Sequence, residues 1–180
     1  MDDYPTLPTL ETSRLILRAF DQDDASALHQ ILSEPGVLRY FPSDKPPPLE
    51  RVERIVESHR KHWADNEYGW WAVEDKGNGV LVGWCGLGLL EETNEVEIKY
   101  LLRRSHWGRG IATEAAVPCI DYAYRETDLE TIIGLTHPEN IASQKVLKKI
   151  GLTFRNEAEY FGMTCYRFTI ERAEYDSKPR

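Results

Sequence analysis

The chain has 180 residues, a mass of 20.8 kDa and a formal net charge of −8. Apolar residues make up 41% and charged residues 29%, ordinary globular figures that exclude a disordered or collagen-like chain. The acidic balance argues against a nucleic-acid partner, and no apolar run approaches the roughly 20 residues of a membrane helix.

In chain order, Met1-Asp2-Asp3-Tyr4-Pro5 lacks the apolar stretch of a secretory signal. Leu15, Ile16 and Leu17 form a short strand. Asp21 reads as an N-cap with Asp24 in the first turn, opening a helix that runs to about Ser33 and stops at Pro35-Gly36. A second helix spans about Pro48 to Asn66, with Val52, Ile55, Val56 and Trp63 on one face; His59 and His62 are expected to be partly exposed. Strands follow at Trp71–Glu74 and Val80–Leu90, joined by the turn Lys76-Gly77-Asn78-Gly79. From Glu95 the pattern alternates: Val96, Ile98, Tyr100 and Leu102 share one face, Glu97, Lys99 and Leu101 the other.

After His106-Trp107-Gly108-Arg109-Gly110 a helix begins. Ala112, Ala115, Ala116, Cys119, Ile120 and Ala123 form its stripe, and Pro118 is expected to kink it. Thr131–Thr136 is a short buried strand, and Asn140–Ile150 is a helix closed by Gly151. Strands at about Leu152–Tyr160 and Met163–Ile170 complete the order; a tail follows over residues 173–180, polar and frayed from Asp176 to Arg180. The strand-helix-strand unit over residues 95–136 predicts one parallel pair. The other neighbours read as hairpins. The fold class is therefore mixed α/β: a mostly antiparallel sheet with helices on both faces, in one domain spanning residues 1–180. Cys85, Cys119 and Cys165 are odd in number and include no C-x-x-C, so neither a disulfide framework nor a metal site is expected. A reducing, cytoplasmic setting fits them.

The loop before the long helix is chemically suggestive. Consecutive backbone N–H groups at such a turn can face one concavity, and the helix N-terminus adds about half a positive charge. Arg103, Arg104, His106 and Arg109 add local positive charge. The segment is either an anion cradle or a plain loop with solvated arginines. A Rossmann fingerprint fails because Thr113 stands where the third glycine belongs, and the G-K-[ST] of a P-loop is absent.

Four stretches in order resemble the GNAT superfamily of acyl-CoA N-acyltransferases, most closely its RimJ/RimL-type branch. They are Glu97-Ile98-Lys99-Tyr100-Leu101-Leu102, then His106 through Ala115, then Asn140-Ile141-Ala142-Ser143, then Lys149-Ile150-Gly151-Leu152. The opening Leu10–Arg18 is similar to that branch's first strand, so the resemblance covers about residues 9–172. It implies the acyl-CoA N-acyltransferase fold and acetyl transfer from acetyl-CoA to an amine, either a small molecule or a protein N-terminus. The alternative is a non-catalytic acyl-CoA-binding module of the same fold.

By position, the resemblance implies that the backbone of Tyr100, Leu101 and Leu102 bonds the pantetheine arm and polarises the thioester. Trp107, Gly108, Arg109, Gly110, Ile111, Ala112 and Thr113 would cradle the pyrophosphate. Asn140 and Ser143 would meet the arm at the next helix, between two splayed strands. Glu97 is the candidate base and Ser143 the candidate acid. Lys99 stands where the branch often has glycine, and pairing with it would lower the Glu97 pKa. Leu147 stands where many members place a tyrosine acid, and Ser105 where many have Gln or Arg. A monomer or homodimer is expected, with no membrane partner.

Overall fold

The computed structural model describes residues 7–177. The strands are β1 (Leu10–Glu11), β2 (Leu15–Arg18), β3 (Trp70–Asp75), β4 (Val80–Leu90), β5 (Glu95–Leu102), β6 (Thr131–Thr136), β7 (Thr153–Tyr160) and β8 (Met163–Glu171). The helices are α1 (Asp24–Leu32), α2 (Leu49–Asn66), α3 (Ile111–Glu126), α4 (Ile141–Lys149) and α5 (Arg172–Asp176). The eight strands form one sheet in the order β1-β2-β3-β4-β5-β6-β8-β7. Every neighbouring pair is antiparallel except β5 and β6. No helix among the described residues is long and apolar enough to cross a membrane.

Alternation along the strands builds a core on each face. Val96, Ile98 and Leu102 of β5 pack with the Ala115, Ala116, Cys119, Ile120 and Ala123 stripe of α3 and with Leu147 of α4. Leu101 packs on the opposite face with Leu28 and Ile31 of α1 and Val52 and Val56 of α2. Small residues let α3 lie close to the sheet, and the helix runs unbroken through Pro118. α4 presses equally close. A Cβ added at Gly134 would sit 2.4 Å from a Leu147 methyl, so β6 needs glycine there. Its end is a Schellman turn: Leu152 N–H donates to Leu147 C=O at 3.0 Å and Gly151 N–H to Lys148 C=O at 3.1 Å, with Gly151 at φ 102°.

Four expectations are corrected. A short β1 precedes the first expected strand, paired to β2 through Leu10↔Leu17 and Glu11↔Ile16. α1 starts at Asp24 rather than just after Asp21. The Asp24 carboxylate does accept the Asp21 N–H at 2.7 Å, but it also receives Arg18 at 2.8 and 3.0 Å, so the turn serves a tertiary ion pair. A short helix over Arg172–Asp176 follows the last strand, held by a reciprocal capping box between Glu171 and Glu174, and it takes in Asp176, the first residue of the expected frayed tail. Residues 178–180 of the expected tail and Met1–Pro5 lie outside the described residues. Finally, His59 is buried, against Phe20 and between Trp70 and Trp84. Burial pushes its pKa down to about 3.

Candidate active site

β5 and β6 are in register only at Glu97↔Ile133. Beyond that point β5 continues to Leu102 while β6 diverges, which opens the sheet at its centre. Two cavities meet at the opening. The larger, about 590 Å³, runs along Tyr100, Leu101 and Leu102, past Trp107, Gly108, Gly110, Ile111, Ala112 and Thr113, and along α4 from Asn140 to Lys149. The smaller, about 120 Å³, holds Glu97, Lys99, Thr136, His137 and Cys165 beneath Tyr40, Phe41 and Phe161. Tyr40, Phe41, Tyr100, Asn140 and Ser143 line both.

The loop residues form a cradle. Gly108 and Gly110 adopt φ of 70° and 77°, left-handed values that β-carbon-bearing residues avoid, and Gly110 caps α3. Glu114, one turn inside α3, clamps this end to the β1–β2 turn. It accepts from Thr12 Oγ1 at 2.6 Å, the Arg14 N–H at 2.8 Å, Arg14 Nε at 2.6 Å and Ser13 Oγ at 3.0 Å. Burial works against its ionisation, but these donors overcome it and hold the carboxyl at about 2.

The expected sources of positive charge need correcting. Arg103 lies 3.3 Å from a Glu34 oxygen, and the Arg104 guanidinium donates to the Pro35 carbonyl at 3.0 Å. His106 spends its ring on Asp75 at 3.1 Å and Ser105 at 3.0 Å. The Arg109 side chain turns to the Ser105 carbonyl at 3.4 Å and does not line the groove. Positive charge along the groove comes instead from Arg39, Lys145 and Lys149.

Glu97 is 3% exposed. Lys99 Nζ lies 2.9 Å from its Oε2, off the axis a hydrogen bond needs. The pairing was expected to depress its pKa; the net direction is the reverse. Desolvation in the pocket outweighs the attraction of Lys99 and raises the carboxyl above its ordinary value. Thr136 Oγ1, buried in the same pocket, also lacks a partner.

Asn140 caps α4 by accepting the Ser143 N–H at 3.1 Å while lining the groove. Ser143 Oγ meets Tyr100 Oη at 2.8 Å. The Tyr100 hydroxyl was missed in the sequence because its alternation with Val96 and Ile98 reads as core. Burial raises its pKa well above the tyrosine range, so it stays protonated. Leu147 lines neither cavity; it is 1% exposed and packs against Gly134 and Leu152. His137 lines the small pocket, stacks on Tyr40 with ring centroids 5.4 Å apart, and accepts the Glu139 N–H at 3.2 Å.

A split antiparallel sheet with a glycine-turned helix cradle beside the split is the architecture of an acyl-CoA-dependent acyltransferase. Residues 14–153 match the family model of the acetyltransferase (GNAT) domain, and the chain belongs to that family. It is 30% identical over 178 residues to the uncharacterized N-acetyltransferase p20 of Bacillus licheniformis, covering 94% of this chain and 99% of that protein. The spermidine N-acetyltransferase of Vibrio cholerae, solved with CoA and spermine, superposes with a TM-score of 0.76 at 21% identity, over 92% of this chain and 100% of that one. RimL, a ribosomal L7/L12 α-N-protein acetyltransferase solved with coenzyme A, gives 0.79 at 18% identity, over 91% and 98%.

Proposed function

We propose that the protein moves the acetyl group of acetyl-CoA to a primary amine by direct attack in a ternary complex. The observation that carries this reading is the meeting of the two cavities at Tyr100, Asn140 and Ser143. A pantetheine arm lying along β5 in the groove ends where an amine in the small pocket can reach it. The backbone of residues 107–113 suits a pyrophosphate, with Lys145 and Lys149 beside it.

Glu97 removes a proton from the incoming ammonium. Its raised pKa makes it a stronger base than an exposed carboxylate, and its burial beside the β5–β6 opening puts it on the amine's side. Backbone N–H groups of β5 between Tyr100 and Leu102 polarise the thioester carbonyl. The departing thiolate has an ordinary pKa of about 8.5, far below that of Tyr100, so full proton transfer from the tyrosine runs uphill. The Tyr100–Ser143 hydroxyl pair therefore stabilises the thiolate by hydrogen bonding, and the attacking nitrogen supplies the proton. Ser143 alone as acid, the replacement the sequence offers for Leu147, becomes one half of this pair.

The acceptor is a small amine or a protein N-terminus that passes beneath Tyr40 and Phe161. Thermal unfolding with CoA and acetyl-CoA is the first test; at 100 Kd, binding adds about 2.7 kcal/mol to stability. Thiol release with a panel of polyamines, aminoglycosides and N-terminal peptides then separates the acceptor classes. No shift with either nucleotide overturns the reading.

A further inference from the structure

We propose that Lys99 is itself an acetylation site, modified within the same molecule by the chain's own transfer chemistry. This inference rests on the reading above. Lys99 is the one lysine among the described residues that lines the small pocket. Its ammonium lies 2.9 Å from the buried Glu97 carboxylate and 5.3 Å from the centroid of the Phe161 ring, which crowns the β7–β8 turn. A carboxylate on one side and an aromatic face on the other make a cradle for an ammonium ion. The chain's own side chain already occupies it, next in sequence to Tyr100, whose hydroxyl bonds Ser143 where the two cavities join. Lys99 is only 31% exposed, so this is no freely solvated lysine.

The chemistry balances with acetyl-CoA as the sole co-substrate. The Lys99 ammonium gives one proton to Glu97, and its nitrogen attacks the thioester carbon. The C–N bond forms, the C–S bond breaks, and the second nitrogen proton leaves with the thiolate as CoA thiol. The product is a neutral Nε-acetyl-lysine, and Glu97 returns its proton to solvent. Nucleophile and base are held on one strand, so the step escapes the entropy cost that an external amine incurs.

The test is intact-mass and peptide-level mass spectrometry of the full chain incubated with acetyl-CoA and no amine. The expected result is one acetyl group per chain, on the peptide carrying Lys99, formed before the exposed Lys61 and Lys148 react. Added CoA slows it by competition, Lys99→Arg abolishes it, and Glu97→Gln slows it by about 10²-fold. Acetylation of Lys99 no faster than that of Lys61 or Lys148 overturns the inference. If external amines are acetylated while Lys99 stays unmodified, only this inference falls. If acetyl-CoA produces neither a thermal shift nor a mass change, the proposed function falls with it.

Discussion

Two glutamates flank the same strand-to-helix segment and are driven in opposite directions. Glu97, on β5, is buried with only the Lys99 ammonium and the Leu135 N–H to offset desolvation, and its pKa rises. Glu114, in the first turn of α3, is met by four aligned donors, and its pKa falls to about 2. Burial opposes ionisation at both. What differs is how fully hydrogen bonds answer it. The site with fewer donors is the proposed base; the site with the fuller set is a clamp.

The sharpest way to separate the two is to neutralise each. Glu97→Gln is expected to lower kcat/KM by about 10²-fold or more, read as thiol release. In the wild type, kcat/KM should fall as pH drops through the raised Glu97 pKa, and this acid limb should vanish in the variant. A variant that keeps both rate and limb breaks the assignment of the base.

Glu114→Gln should instead cost stability, about 1.5–3 kcal/mol for the loss of charge-assisted hydrogen bonds, read by denaturant unfolding at neutral pH. The Glu114 folded pKa is depressed, so its contribution is present above the ordinary 4.5 and disappears as pH falls toward about 2. The difference between wild type and variant should close over that window. A variant that loses nothing at neutral pH removes the contrast.

For Glu97→Gln the stability sign reverses. A carboxyl with a raised folded pKa opposes folding once pH exceeds its ordinary value. Neutralising it should leave stability unchanged or raise it by about 1 kcal/mol or less, because the partly exposed Lys99 ammonium is not left as a fully buried, unpaired charge. The smallest effect belongs to Lys99→Met. Removing the ammonium leaves desolvation less opposed, so the acid limb of kcat/KM should move to higher pH; a move to lower pH overturns the claim that the ammonium stabilises the Glu97 carboxylate.

Much of this was legible in the sequence. Alternation from Glu95 gave β5 its two faces, the small-residue stripe gave α3 its packing, and Asn140 and Gly151 marked both ends of α4. The Glu97–Lys99 pair was legible too, since neighbours two apart on a strand share a face. Its consequence was not. The sign of the Glu97 shift depends on Tyr40, Phe161 and Cys165, which come from distant segments to dry the pocket. The same holds for Arg103, drawn off by Glu34, for Arg104, whose guanidinium donates to the Pro35 carbonyl, and for His106, drawn off by Asp75. A basic cluster in a sequence says nothing about which carboxylates fold back onto it. The Tyr100–Ser143 bond joins residues 43 apart in the chain, so no local pattern reports it.

The narrow β5–β6 contact also bears on how the chain folds. β1 to β5 pair in sequence order, and β6 to β8 close among themselves, so each half forms hydrogen bonds without waiting for the other. Joining them requires closure around α3 for one parallel register point. Such a junction is the slowest to gain order and the first to open, since non-local parallel pairing returns little until the intervening loop is closed. Any ligand lying across it would act as a staple between two preassembled halves, so its grip should be felt in hydrogen exchange throughout both.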